Sequence, residues 1–152
     1  MTEKHAPDEP VVFAALLRTA RTAYGGAIRE ALNEAGLDDI PKNGIYVIGA
    51  ISRTGAPLAQ IIESLGVSKQ SAGQLVDTLA LRGYIAREVD SDDRRRLTVR
   101  LTPRGREAAA IARAAVERID ALLLKKVGRE HVAHTRATLH ALIELTRGKN
   151  SA

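Results

Sequence analysis

Between Leu58 and Arg106 the hydrophobic pattern changes period several times, and the order of those changes leaves few folds open. Leu58, Ile61, Ile62 and Leu65 fall at i, i+3, i+4 and i+7, the spacing of one helical face. Gly66-Val67-Ser68 then interrupts, glycine suiting the left-handed residue that ends a helix and serine the N-cap of the next. A second helix is predicted from Lys69 to about Arg82, with Ala72, Leu75, Val76 and Leu79 facing inward. Two helices across so tight a turn form a helix-turn-helix. Gly83 ends the second helix. Tyr84 to Val89 and Leu97 to Leu101 then read as strands joined across Asp90-Ser91-Asp92-Asp93. A hairpin directly after a helix-turn-helix is a wing.

The second helix carries Lys69, Gln70, Ser71, Gln74, Asp77 and Thr78 away from its apolar stripe. All can hydrogen-bond, and the first three occupy the first turn, where a recognition helix meets base edges and phosphates. Any amphipathic helix has a polar outer face, so this helix alone does not decide for DNA. The hairpin adds Arg94, Arg95 and Arg96 at its tip. A charge run is commonly a solvated loop, but on a wing beside a recognition helix its long cations reach phosphate or the minor groove.

Asp90-Ser91-Asp92-Asp93-Arg94-Arg95, followed by Leu101-Thr102-Pro103-Arg104-Gly105-Arg106, resembles the wing signature of the MarR family of bacterial transcriptional regulators. The helices on either side also match that family's layout, so the resemblance spans nearly the whole chain. It implies a winged helix-turn-helix that binds double-stranded DNA as a homodimer, acting as a repressor on a palindromic operator. Arg95 matches the wing arginine that enters the minor groove, with Arg94 beside it on phosphate. Asp93 matches the motif's acidic residue, expected to orient an arginine. Ser68, Lys69, Gln70, Ser71, Gln74 and Thr78 occupy the recognition-helix positions. Some members carry arginine where this chain has Gln74 and Thr78, which changes the expected bases, because glutamine favours adenine and arginine favours guanine. Arg87, in the first wing strand, is read as serving the wing's structure.

The expected fold class is mainly α with a small β-wing. Residues 37–102 form the winged DNA-binding lobe and residues 9–36 and 103–148 a helical dimerisation region, with disordered tails at 1–8 and 149–152. In the first helix Phe13, Leu16, Leu17, Ala20, Tyr24, Ala27, Ile28, Ala31 and Leu32 share a face, and Gly36 is the expected stop. Gly25-Gly26 inside it marks a bend or a close helix crossing. A helix from Lys42 to about Arg53 is apolar most of the way round and should be largely buried. A short strand near Ala56 is expected to pair with the wing. Thr102-Pro103 is an N-cap followed by proline at the first helical position, and Gly128 should divide the last helical stretch in two. The terminal helices carry apolar stripes without an evident partner. A symmetric dimer would bury them and set two recognition helices roughly 34 Å apart; the alternative is intrachain packing in a monomer.

With 45% hydrophobic residues but one Phe, three Tyr and no Trp, the core must be built from Ala, Leu, Ile and Val. The net charge of +5 is consistent with a nucleic-acid partner but is too modest to decide it. The absence of Cys excludes disulfides and thiolate metal sites within this chain. No apolar run approaches a membrane span, and the polar start MTEKHAPDEP lacks a signal core, so a cytoplasmic location without membrane contact is expected. His131 and His134 have a spacing that can chelate, but without a third ligand they read as surface residues. No metal or other cofactor is expected. Many members of the family release DNA when a small amphipathic or phenolic molecule enters a crevice between the dimer helices and the winged lobe. Here Tyr24, Tyr46 and Arg21 are the candidates to line it, against the reading that both tyrosines are core residues with one wet end. Two other functions stay open. A winged helix can bind protein instead of DNA, though such a wing need not be so basic. An enzyme is disfavoured, because no nucleophile–base pair, phosphate loop or carboxylate cleft is legible.

Overall fold

The computed structural model describes residues 13–54, 58–64, 66–89 and 97–147. Helices α1 (Phe13–Glu34), α2 (Gly44–Thr54), α3 (Leu58–Ser64) and α4 (Lys69–Leu81) precede strands β1 (Ile85–Val89) and β2 (Leu97–Leu101), and α5 (Pro103–Arg147) follows. The strands pair antiparallel, Ile85 opposite Leu101 and Val89 opposite Leu97. This is the predicted mainly helical architecture with a two-stranded wing. The expected strand near Ala56, the turn at 90–93 and both expected tails lie outside the described residues.

The lobe closes around Val47 and Ile48 of α2, Leu79 of α4 and Tyr84, all fully buried. Burial of side chains this size stabilises by about 1.5–3 kcal/mol each. Ala108, Ala109, Ala112 and Ala115 are the buried face of α5, which packs on both α1 and α2. Small side chains there let the helices approach closely, so alanine does work that a core poor in aromatics cannot assign to larger groups.

One capping device occurs twice. At the end of α1, Gly36 has φ +72°. The amide of Leu37 donates to the Leu32 carbonyl at 2.9 Å and that of Gly36 to Asn33 at 3.0 Å. At the end of α4, Gly83 has φ +75°. Tyr84 donates to Leu79 at 2.9 Å and Gly83 to Ala80 at 3.0 Å. Both are Schellman caps, and in each the flanking apolar pair, Leu32 with Leu37 and Leu79 with Tyr84, is buried. The glycine stops read from sequence are therefore also core anchors.

The structure departs from expectation at α2, which begins at Gly44 rather than Lys42. Asn43 is left-handed, with φ +66°, which a helix cannot include. The helix is also less enclosed than predicted, with Tyr46 37% exposed. Gly25 and Gly26 sit inside a continuous α1, and a Cβ on either would meet nothing within 4 Å among the described residues. Among the described residues they mark no close helix crossing.

Gly128 interrupts α5 as predicted, with φ +83° and ψ +165°. That region is essentially reserved for glycine. A Cβ there would meet nothing within 4 Å among the described residues, so the cost of a side chain is backbone strain alone. Gly128→Ala is expected to lower stability by about 1–3 kcal/mol, read as a fall in thermal midpoint. An unchanged midpoint would show that the break is not required.

No helix among the described residues is long and apolar enough to cross a membrane.

Candidate nucleic-acid interface

The first turn of α4 is set by Ser68, whose extended backbone (φ −63°, ψ +154°) makes it the N-cap. Its Oγ accepts the Ser71 amide at 3.1 Å and donates to Ser71 Oγ at 2.9 Å. Ala72, Val76 and Leu79 hold the opposite face in the core, which leaves Ser68, Lys69, Gln70, Ser71 and Gln74 together on an exposed surface. Thr78 is set back from them. It is half-buried and its hydroxyl donates to the Gln74 carbonyl at 2.7 Å. Arg94, Arg95 and Asp93 lie outside the described residues.

Two ion pairs fix the hairpin. Arg87 on β1 pairs with Asp77 on α4, and Arg100 on β2 pairs with Glu88 on β1. Exposed pairs such as these add at most about 1 kcal/mol, so their effect is geometric: the first ties the wing to α4.

The Leu101–Arg106 segment builds a joint. The Thr102 hydroxyl accepts the Gly105 amide at 3.1 Å and donates to the Gly83 carbonyl at 2.5 Å. One threonine thereby caps α5 and holds it to the end of α4. The Thr102 amide donates to the Tyr84 carbonyl at 3.1 Å, continuing the strand pairing. The first turn of α5 then rests on that same carbonyl: a Cβ at Gly105 would lie 2.0 Å from the Tyr84 oxygen. Arg106 donates to the Leu101 carbonyl at 2.9 Å.

Around Tyr84 the structure assembles a polar cluster that sequence reasoning missed. The Tyr84 hydroxyl donates to the Asp39 carboxylate. Arg104 reaches the same carboxylate at 2.9 Å and lies 4.7 Å from the centre of the Tyr84 ring. Arg82, at the end of α4, donates to the Asp39 main-chain carbonyl. The Tyr84 hydroxyl, helped by the Arg104 charge, holds the Asp39 carboxyl below the usual carboxylate range, whereas burial and then the Asp39 bond push the phenol of Tyr84 up. Sequence showed Asp38-Asp39 only as a loop, since its partners lie far along the chain.

Arg21 and Tyr46, two of the predicted crevice residues, do meet. The Arg21 guanidinium lies 4.9 Å from the Tyr46 ring centre, and its Nε donates to the Tyr46 hydroxyl at 3.3 Å. Both line an open groove of about 810 Å³ between α1 and the start of α2. Its walls combine Ile28, Leu32 and Ile45 with the cations Arg18, Arg29 and Lys42. Tyr24 is not among the lining residues. Its hydroxyl donates to Asp120 of α5 at 2.5 Å, joining the two helices.

That bond, followed by burial, pushes the Tyr24 phenol up to about 12. For an acid whose folded value is raised, the stabilisation is present below its ordinary value and disappears as pH rises toward the folded one. Wild-type protein is thus expected to lose stability between pH 10 and about 12, and Tyr24→Phe to flatten that loss. Chemical denaturation across that range reads it. Equal slopes in the two proteins would show that the Tyr24–Asp120 bond does not contribute to stability.

His131, His134 and His140 are exposed, and no group of three or more metal-ligating side chains forms among the described residues.

A helix-turn-helix followed by a hairpin, with a capped and exposed second helix, defines a winged-helix protein. A family model described as MarR family matches residues 38–96, the lobe just described. No curated protein matches the sequence. Among solved structures the chain is similar to the transcriptional regulator Tm0710 from Thermotoga maritima, at 23% identity over 92% of this chain and 97% of that one, with TM-score 0.57. It is similar to Streptococcus pneumoniae FabT in complex with DNA, at 20% identity over 90% and 98% of the two chains, with TM-score 0.68. It is also similar to an S. aureus MepR–DNA complex, at 18% identity over 89% and 96%, with TM-score 0.69. At these identities the likeness is one of fold.

Proposed function

We propose that this chain is a sequence-specific DNA-binding transcriptional regulator, a homodimeric repressor on a palindromic operator. The observation that carries the reading is the first two turns of α4, where the core and the Ser68 cap leave Lys69, Gln70, Ser71 and Gln74 on one exposed surface beside the wing. The DNA complexes of FabT and MepR, which share the fold, support it. In this reading Ser68 and Lys69 position the helix on phosphate, Gln70, Ser71 and Gln74 meet base edges, and Thr78 acts through the helix backbone. Arg94 and Arg95 extend the contact from the wing, with Asp93 orienting them. Such a regulator is cytoplasmic and performs no catalysis.

The homodimer is supported by where apolar surface remains. No described residue after Ala115 is buried. Apart from Tyr46 and Leu81, every large exposed hydrophobic among the described residues lies in the first turns of α1 or in α5 from Leu122 onward. Leu122 is 68% exposed and Leu145 is 70% exposed in the single chain. A second copy covering these helices would complete a dimerisation region from residues 9–36 and 103–148, with residues 37–102 as the DNA-binding lobe.

The groove lined by Arg21 and Tyr46 is the proposed effector site. Its volume of about 810 Å³ suits a small molecule, and its mixture of apolar walls and cations suits an amphipathic or phenolic one whose acidic end meets arginine. Tyr24, placed outside that lining, enters the reading only as a link between α1 and α5.

The test is fluorescence anisotropy on DNA from upstream of the protein's own gene, at two salt concentrations, with random DNA as competitor. Tight binding that weakens with salt and resists the competitor is expected. Binding that random DNA abolishes would leave a basic winged helix and favour a protein-interaction module.

A further inference from the structure

The loop between α1 and α2 faces two ways. Leu37, Asp38, Ile40, Pro41, Lys42 and Asn43 all line the groove, but Asp39, in their midst, does not. Its carboxylate takes the Tyr84 hydroxyl and Arg104, and its carbonyl takes Arg82. Those three residues sit at the end of the recognition helix and in the first turn of α5. The loop is also held at its far side, because a Cβ at Gly44 would lie 2.9 Å from Ile40 and 3.1 Å from Leu79 of α4. We infer that Asp39 is a positioning residue, the latch through which occupancy of the groove moves the end of the recognition helix.

This rests on the groove and α4 having the roles proposed above. A molecule in the groove presses on the loop at residues flanking Asp39. Hydrogen bonds weaken steeply once their length and angle depart from the optimum, so a small loop shift releases Tyr84, Arg104 and Arg82 together. The last turn of α4 and the start of α5 then lose a shared anchor. By reciprocity, DNA that fixes α4 favours the latched loop and disfavours groove occupancy.

The experiment needs no identified effector. Gly25 lines the groove with open space at its Cβ, so Gly25→Trp fills the groove from α1 without touching the latch. Hydrogen exchange is measured at the amides of residues 79–84 in wild type, Gly25→Trp, Asp39→Asn and the double variant, with Tyr84→Phe as a second way to open the latch. Gly25→Trp is expected to speed exchange there about tenfold, the size of an ordinary coupling between sites. In the Asp39→Asn and Tyr84→Phe backgrounds it should add nothing. Unchanged exchange in Gly25→Trp, or an equal effect with and without the latch, would overturn the inference. Anisotropy of the wild type on its upstream DNA separates the readings: failure to bind there rejects the DNA-binding role, while the exchange data still decide the latch.

Discussion

Gly105→Ala is expected to destabilise the protein by about 3 kcal/mol, lowering the thermal midpoint by roughly 10 °C. The new Cβ would lie 2.0 Å from the Tyr84 carbonyl oxygen, a main-chain atom that cannot rotate aside. That carbonyl also accepts the Thr102 amide, and Tyr84 itself is fully buried. Relief therefore requires α5 to lift from the end of α4, breaking the Thr102 cap and the Arg104–Asp39 pair. Gly73→Ala, on the exposed side of α4 where a Cβ would meet nothing within 4 Å among the described residues, is the control and should stabilise slightly. Thermal unfolding followed by circular dichroism reads both. An unchanged midpoint in Gly105→Ala would mean that the joint between α4 and α5 is looser than its geometry.

The second large effect concerns DNA. Arg95→Ala is expected to weaken binding to all sequences alike, about ten- to a hundredfold, and to reduce the salt dependence by about one released counterion. A wing arginine in the minor groove or on phosphate contributes charge more than base discrimination. Gln74→Ala should differ in kind, altering preference at one base pair, because a glutamine amide reads adenine through paired hydrogen bonds. Anisotropy over a range of salt concentrations separates the two. If Arg95→Ala left both affinity and salt slope unchanged, the wing arginines would be a solvated charge run.

Much of this was legible in the sequence because local rules governed it. The helix-turn-helix showed in the period of Leu58, Ile61 and Ile62, in Gly66 and in the Ser68 cap. The start and the break of α5 showed in Thr102-Pro103 and Gly128. The Leu101–Arg106 segment was legible as a family signature but not as a mechanism, since Gly105 matters only through a carbonyl that folding brings beneath it. That Asp39, Tyr84 and Arg104 meet carried no signal: their spacing fits no periodicity, and the cluster exists only once the loop after α1, the end of α4 and the start of α5 come together. The predicted crevice divided for the same reason. Arg21 and Tyr46 converge across the groove, while Tyr24, on the same helix as Arg21, is drawn to Asp120. The early start expected for α2 failed because nothing in the sequence marked Asn43 as left-handed.

Selection from a random DNA library with the wild-type protein tests whether the exposed first two turns of α4 read DNA sequence in a two-fold assembly. An enriched inverted repeat is expected, with half-sites centred about 10 base pairs apart or a multiple of that spacing. Enrichment of no motif, or of a lone half-site without its inverted partner, would contradict it.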